Sequence, residues 1–159
     1  PFDKNYALGL TLHKVKQREY KQRFGFRDYK TETGHLGLYY DFPYGVSSRL
    51  QVGKYLAGDK GASIDLSRTF KTGFTLGFFA TFTDLSAEEF GEGSFDKGFY
   101  FQIPLDLISN QYSNEYTNFK ISPLTRDGGA KMIYDKDLRG LIYNSTYYEL
   151  YRQWDGYQD

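Results

Sequence analysis

The chain has 159 residues, with 20 lysines and arginines set against 20 aspartates and glutamates. That length allows one domain with a substantial core, and the charge balance excludes a global field drawing nucleic acid or anionic lipid. Absence of cysteine excludes disulfides and thiolate metal sites, and no apolar run approaches the ~20 residues of a membrane helix. Tyrosines outnumber phenylalanines, 16 to 14. Such a bias suits surfaces that are dry at one end of the ring and wet at the other, as in the girdles of membrane barrels or sugar-stacking platforms.

Alternation of period two dominates the chain. Tyr6, Leu8, Leu10 and Leu12 alternate with Ala7, Gly9, Thr11 and His13, which predicts a first strand near residues 5–13. Residues 14–33 are charged and read as a long link. Leu36, Leu38, Tyr40 and Phe42 then alternate with Gly37, Tyr39 and Asp41, a strand near 34–42 that ends at the turn Pro43-Tyr44-Gly45. Leu50 and Val52 against Arg49, Gln51 and Gly53 predict a third strand near 46–56. Ala62, Ile64 and Leu66 against Ser63, Asp65 and Ser67 predict a fourth near 62–70.

The clearest pattern lies in residues 73–84. Phe74, Leu76, Phe78, Ala80 and Phe82 fall on one face, and Thr75, Gly77, Thr81 and Thr83 on the other, with Phe79 as the single misfit. An acidic, glycine-bearing loop over 85–97 leads to a sixth strand near 98–106. Residues 116–134 fit a further hairpin around 123–128. The tail, 136–159, has mixed signals: helix, strand and loose chain all remain open.

A ribbon with one apolar and one polar face has two solutions. It stacks its apolar face on a dry core, or turns that face to lipid and closes around a polar interior. A dry core is the usual solution for an all-β chain, and with the features that follow weighed against it, sequence physics alone leaves the two near parity. Long links at 14–33 and 85–97, against tight turns at the other end, favour the second, as does a polar face of glycine, serine, threonine, glutamine and tyrosine rather than lysine and glutamate. Lys54 and Arg68 interrupt the apolar face, but each is near a strand end, where a long side chain snorkels. The opening at Pro1 and the missing signal peptide read as a piece of a longer protein.

Three glycine-bearing segments carry a resemblance. They are 52–62 with Gly58, Asp59 and Gly61; 88–98 with Glu89, Phe90, Gly91 and Gly93; and 122–130 with Arg126, Asp127, Gly128 and Gly129. With the strands between them, these resemble the C-terminal region of the YjbH-type exopolysaccharide and capsule biosynthesis family. The likeness runs from about residue 34 to 134. It implies an outer-membrane β-barrel of a Gram-negative bacterium, engaged in exopolysaccharide or capsule production or export. Its implied partners are the lipid bilayer, the polymer and other secretion-machinery proteins.

The expectation is therefore an all-β, antiparallel, up-and-down transmembrane β-barrel over residues 1–135, with about eight strands here or part of a larger barrel. The tail, 136–159, is expected to be poorly defined. Arg49, Gln51, Tyr55, Asp65, Tyr100 and Gln102 are the residues expected to line the lumen, where hydroxyls bond to sugars and tyrosine faces stack on pyranoses. The alternative is a soluble periplasmic or extracellular β domain that binds carbohydrate or a protein.

No enzyme activity or cofactor is expected. Glu88, Glu89, Glu92 and Asp96 could pair for glycoside hydrolysis or ligate calcium, but a surface-charge reading is favoured. Gly91-Glu92-Gly93 lacks the lysine and the strand-to-helix setting of a phosphate loop. His13 and His35 have no third ligand in register, so a metal site is not expected.

Overall fold

The computed structural model describes residues 5–18, 26–86, 95–109, 115–122 and 128–132. They form one antiparallel sheet of seven strands, each hydrogen-bonded to its neighbour in sequence, curled into a half-barrel. The strands are β1 Tyr6–Arg18, β2 Phe26–Phe42, β3 Val46–Lys54, β4 Lys60–Thr69, β5 Thr75–Thr83, β6 Asp96–Pro104 and β7 Tyr116–Ile121. Single 3-10 turns, Pro43–Gly45 and Leu105–Leu107, close two of the hairpins, and no α-helix occurs among the described residues. None of these residues forms a helix long and apolar enough to cross a membrane, which does not bear on crossing by strands.

Register aligns the alternating side chains into rows that run across the strands. One row joins Leu8, Leu38, Leu50, Ile64 and Ala80; the next joins Leu10, Leu36, Val52, Ala62 and Phe82. A third joins Ser48, Leu66, Phe78, Phe99 and Ile121. This apolar face is the outward one: Leu12 is 71% exposed and Phe78 54%. The inward face carries the polar side chains, with Thr75 at 3%, Thr81 at 4% and Asp65 at 6%. Among the described residues the fully buried aromatic side chain is Tyr55, at the end of β3. The usual sorting of side chains between core and surface is thus inverted.

Several expectations need correction. Of the residues expected as a charged link over 14–33, 14–18 and 26–33 belong to strands: β1 and β2 stay paired through Lys16 and Lys30, with a register shift before Arg18 and Phe26. The two strands form a ribbon that outruns β3, whose pairing with β2 stops at Gly34 and Lys54. Charge does not oppose strand formation where the side chains reach water, and Lys14 and Glu32 pair across the ribbon at 3.3 Å, each well exposed.

This removes most of the expected contrast in link length. The links are 19–25, 55–59 and 84–95 at one end and 43–45, 70–74 and 105–115 at the other. Of the hairpin expected over 116–134, the described residues include the first arm, β7, while 129–132 adopt no strand, and seven strands occur among the described residues where about eight were expected. The tail, 136–159, lies outside the described residues. Phe79, the misfit, points inward over Gly98, where a Cβ would collide with its ring, and Lys120 lies 4.3 Å from the ring centre. The missing side chain on β6 makes room for the ring on β5.

Candidate functional site

The inward face of β3 to β6 brings polar groups from separate strands into contact. Arg49 on β3 and Asp65 on β4 are directly opposite in the ladder. The Arg49 guanidinium donates to Asp65 Oδ2 at 3.4 Å, and the Tyr100 hydroxyl on β6 donates to Asp65 Oδ1 at 3.0 Å. Tyr100 spans β5 to reach that carboxylate. It can do so because Gly77 lies beneath its ring, at a point where any Cβ would overlap the aromatic atoms. Farther along, Gln102 donates to Asn118 at 2.7 Å.

A second group forms where β3 turns into β4. The hairpin is closed by Tyr55 N–H donating to the Asp59 carbonyl at 2.8 Å, and Tyr55 meets His35 edge to face at 4.8 Å between ring centres. Residues 128–132 lie on this part of the wall. Gly129 N–H donates to Asp59 Oδ2 at 2.8 Å, and Leu56 N–H donates to the Ala130 carbonyl at 3.0 Å. The Lys131 ammonium then donates to Gln51 Oε1 at 2.7 Å and to Ser63 Oγ at 2.6 Å, and lies 5.6 Å from the centre of the Tyr55 ring. Gly129 has φ +70, and a Cβ there would come within 2.7 Å of Thr81 Cγ2. Glycine is therefore required twice over, by conformation and by contact.

Burial pushes the Lys131 amine down from its ordinary 10.5 to about 8, and the Arg49 guanidinium adds to this. Lys120 lowers it further, while Asp65 and Asp96 act in the opposite direction; Asp59 and the Tyr55 ring also border the segment. A lysine whose docked pKa lies below its free value binds fewer protons when docked. Docking of 128–132 should therefore strengthen as pH rises from about 8 to 10.5 and stay level below about 8. The gain is capped at about 1.4 kcal/mol per pH unit across that window. Urea midpoints in detergent at pH 7.5 and 10, for the native chain and Lys131→Met, measure it as the difference between the two chains. An equal pH response in both chains contradicts this assignment.

Of the expected lining residues, Arg49, Gln51, Asp65, Tyr100 and Gln102 all share the inward face, and Tyr55 closes its end. Gly58 and Gly61 belong to the β3–β4 hairpin; Asp59, expected there as a turn residue, also takes the Gly129 N–H. Gly128 and Gly129 are buried on the wall. Glu88, Glu89, Phe90, Gly91, Glu92, Gly93, Arg126 and Asp127 lie outside the described residues.

His13 and His35 are on neighbouring strands of one face, and no group of three metal-ligating side chains occurs among the described residues. Sequence reading put Ser63 and Thr81 on the polar face without counting them as lining residues, weighed His35 only as a metal ligand, and passed over Lys131. The first two follow from the alternation already used. Lys131 meets partners 68 and 80 positions earlier, and no local pattern signals that.

Several inward atoms, namely Thr33 Oγ1, His35 Nε2, Asp59 Oδ1, Thr83 Oγ1 and Asp96 Oδ1, are buried without a hydrogen-bond partner among the described residues. Buried polar atoms need such partners, so a wall of this kind suits an interior that admits water or a polar ligand. Fold and site together define an all-β, inside-out half-barrel with a hydroxyl- and carboxylate-bearing inner wall.

The family model described as exopolysaccharide biosynthesis protein YbjH matches residues 1–144, and the chain belongs to that family. A relative from Escherichia coli (strain K12), named as the uncharacterized lipoprotein YjbH, is 42% identical over 137 residues, covering 83% of this chain. The chain spans 20% of that relative's length. No solved structure matches.

Proposed function

We propose that this chain is part of an outer-membrane β-barrel that holds or passes an exopolysaccharide during its production or export, without catalysing a reaction. The observation that carries this reading is the inversion of the two faces. Leucine and phenylalanine rows stand outside, and serine, threonine, aspartate and glutamine line the inside. In water that arrangement forfeits most of the hydrophobic driving force; facing hydrocarbon, it is the stable one.

Dimensions support it. The nine residues of β5, at ~3.3 Å each and tilted ~40°, rise ~23 Å, close to the ~25 Å apolar band of such barrels. Polar residues bound the band at one end, where Lys54 and Lys60 are paired and Lys60 N–H donates to Asp84 Oδ1 at 2.8 Å. The other end carries exposed Phe42, Tyr44 and Phe70, with the Arg68 guanidinium 4.9 Å from the Phe70 ring centre. Aromatic rings and snorkelling cations are what a headgroup region accepts. The family membership supports the polymer, and a relative named as a lipoprotein agrees with a membrane setting.

The test is folding in detergent followed by a denaturing gel. A closed barrel of this kind migrates faster unheated than boiled. Cooperative folding in plain buffer without detergent, with the phenylalanines shielded from aqueous quenchers, would instead establish a soluble β domain whose apolar face another protein surface covers.

A further inference from the structure

Resting on the lumen reading above, we infer that Tyr55, Asp59, Gln51 and Ser63 form a glycan subsite on the inner wall, and that residues 129–131 occupy it as a displaceable strap. The groups that hold the strap are those a sugar uses. Asp59 offers carboxylate oxygens, one taken by Gly129 N–H and the other, Oδ1, buried without a partner among the described residues. Gln51 Oε1 and Ser63 Oγ accept from one terminal ammonium, as they would from adjacent ring hydroxyls. The Tyr55 ring supplies an aromatic surface at the same spot. Leu56 N–H, now donating to the Ala130 carbonyl, supplies the donor that a sugar hydroxyl or carbonyl needs.

The strap is not part of the sheet ladder, so lifting it breaks no strand pairing. Its attachments among the described residues are four hydrogen bonds, two of them through a lysine whose charge burial opposes. A polyhydroxylated ligand that replaces them one for one competes with the strap for the same groups. Ligand binding and strap docking are then mutually exclusive, and the wall opens only where polymer is present.

The chain has no native cysteine, so Thr81→Cys, buried under Gly129 on the inner face, is a clean reporter. Detergent-folded protein is treated with a small thiol reagent, and maltoheptaose binding is measured by calorimetry. Gly129→Ala strains the strap through its positive φ and by pressing on position 81, and Lys131→Met removes two of its hydrogen bonds while keeping most of its bulk. Both are expected to speed labelling at least tenfold over the reporter alone and to tighten maltoheptaose binding by a similar factor. Adding maltoheptaose to the strap-weakened chains should then protect the cysteine.

Equal labelling in all three chains makes the strap a fixed part of the wall and ends the proposal. Faster labelling with unchanged maltoheptaose affinity, or none in any chain, removes the subsite. If Thr81→Cys does not fold, Thr83→Cys, the next side chain beside Gly129 on the same face, serves as the reporter. Failure of the heat-shift gel refutes the membrane reading separately, because labelling needs only the folded wall.

Discussion

Leu50→Arg is expected to lower the folding equilibrium constant in lipid bilayers by about 30- to 1000-fold, the equivalent of the ~2–4 kcal/mol that arginine costs at the midplane of a barrel's lipid face. Leu50 is at the centre of the outward face, opposite Leu38 on β2 and Ile64 on β4, and 46% of its surface is exposed. If that face met water, the same change would fall within about 0.5 kcal/mol, as ordinary surface substitutions do. The two environments thus predict effects that differ several-fold in free energy at a single position. Lys14→Arg on the projecting ribbon, a well-exposed site, is the control and should change nothing measurable. Urea titration of both variants in bilayers decides it: a neutral Leu50→Arg refutes the lipid-facing assignment.

Asp65→Ala should destabilise the folded chain by about 3 kcal/mol, the lower part of the range for removing one partner of a buried ion pair. Asp65 is 6% exposed and accepts from both Arg49 and Tyr100, so its loss withdraws the acceptor from a guanidinium and a phenol together. Asp65→Asn keeps an oxygen for Tyr100 but not the charge for Arg49, and about half the effect is expected. Denaturant midpoints at constant m-value measure both. An Asp65→Ala cost below about 0.5 kcal/mol would show that the inner wall is wet enough for water to replace the carboxylate, and the network would then position nothing.

Much of the wall was readable residue by residue. Arg49, Gln51, Asp65, Tyr100 and Gln102 alternate with leucine, isoleucine and phenylalanine in their strands, and a period of two assigns them to one face without tertiary information. That they meet is a matter of register, which turn chemistry near Pro43 and Gly73 helps to set. The contact of Tyr100 with Asp65 across β5 was not readable, because it depends on the missing side chain of Gly77 on the strand between them. Phe79 is the same case: its inward position makes sense only beside Gly98 on β6. Charge in residues 14–18 and 26–33 was misread as part of a link because polarity alone does not separate a water-exposed ribbon from a loop.

By itself the sequence determined that this protein is a set of two-faced antiparallel strands joined in order, since alternation and turn residues act over a few positions and need nothing else. Only the tertiary structure decided which face is outside. That depends on the direction in which the sheet curls, and a period of two is indifferent to it. It alone also decided that residues 128–132 return to the β3–β4 hairpin, because the bonds of Gly129 and Lys131 join positions up to 80 apart and no local pattern encodes their partners.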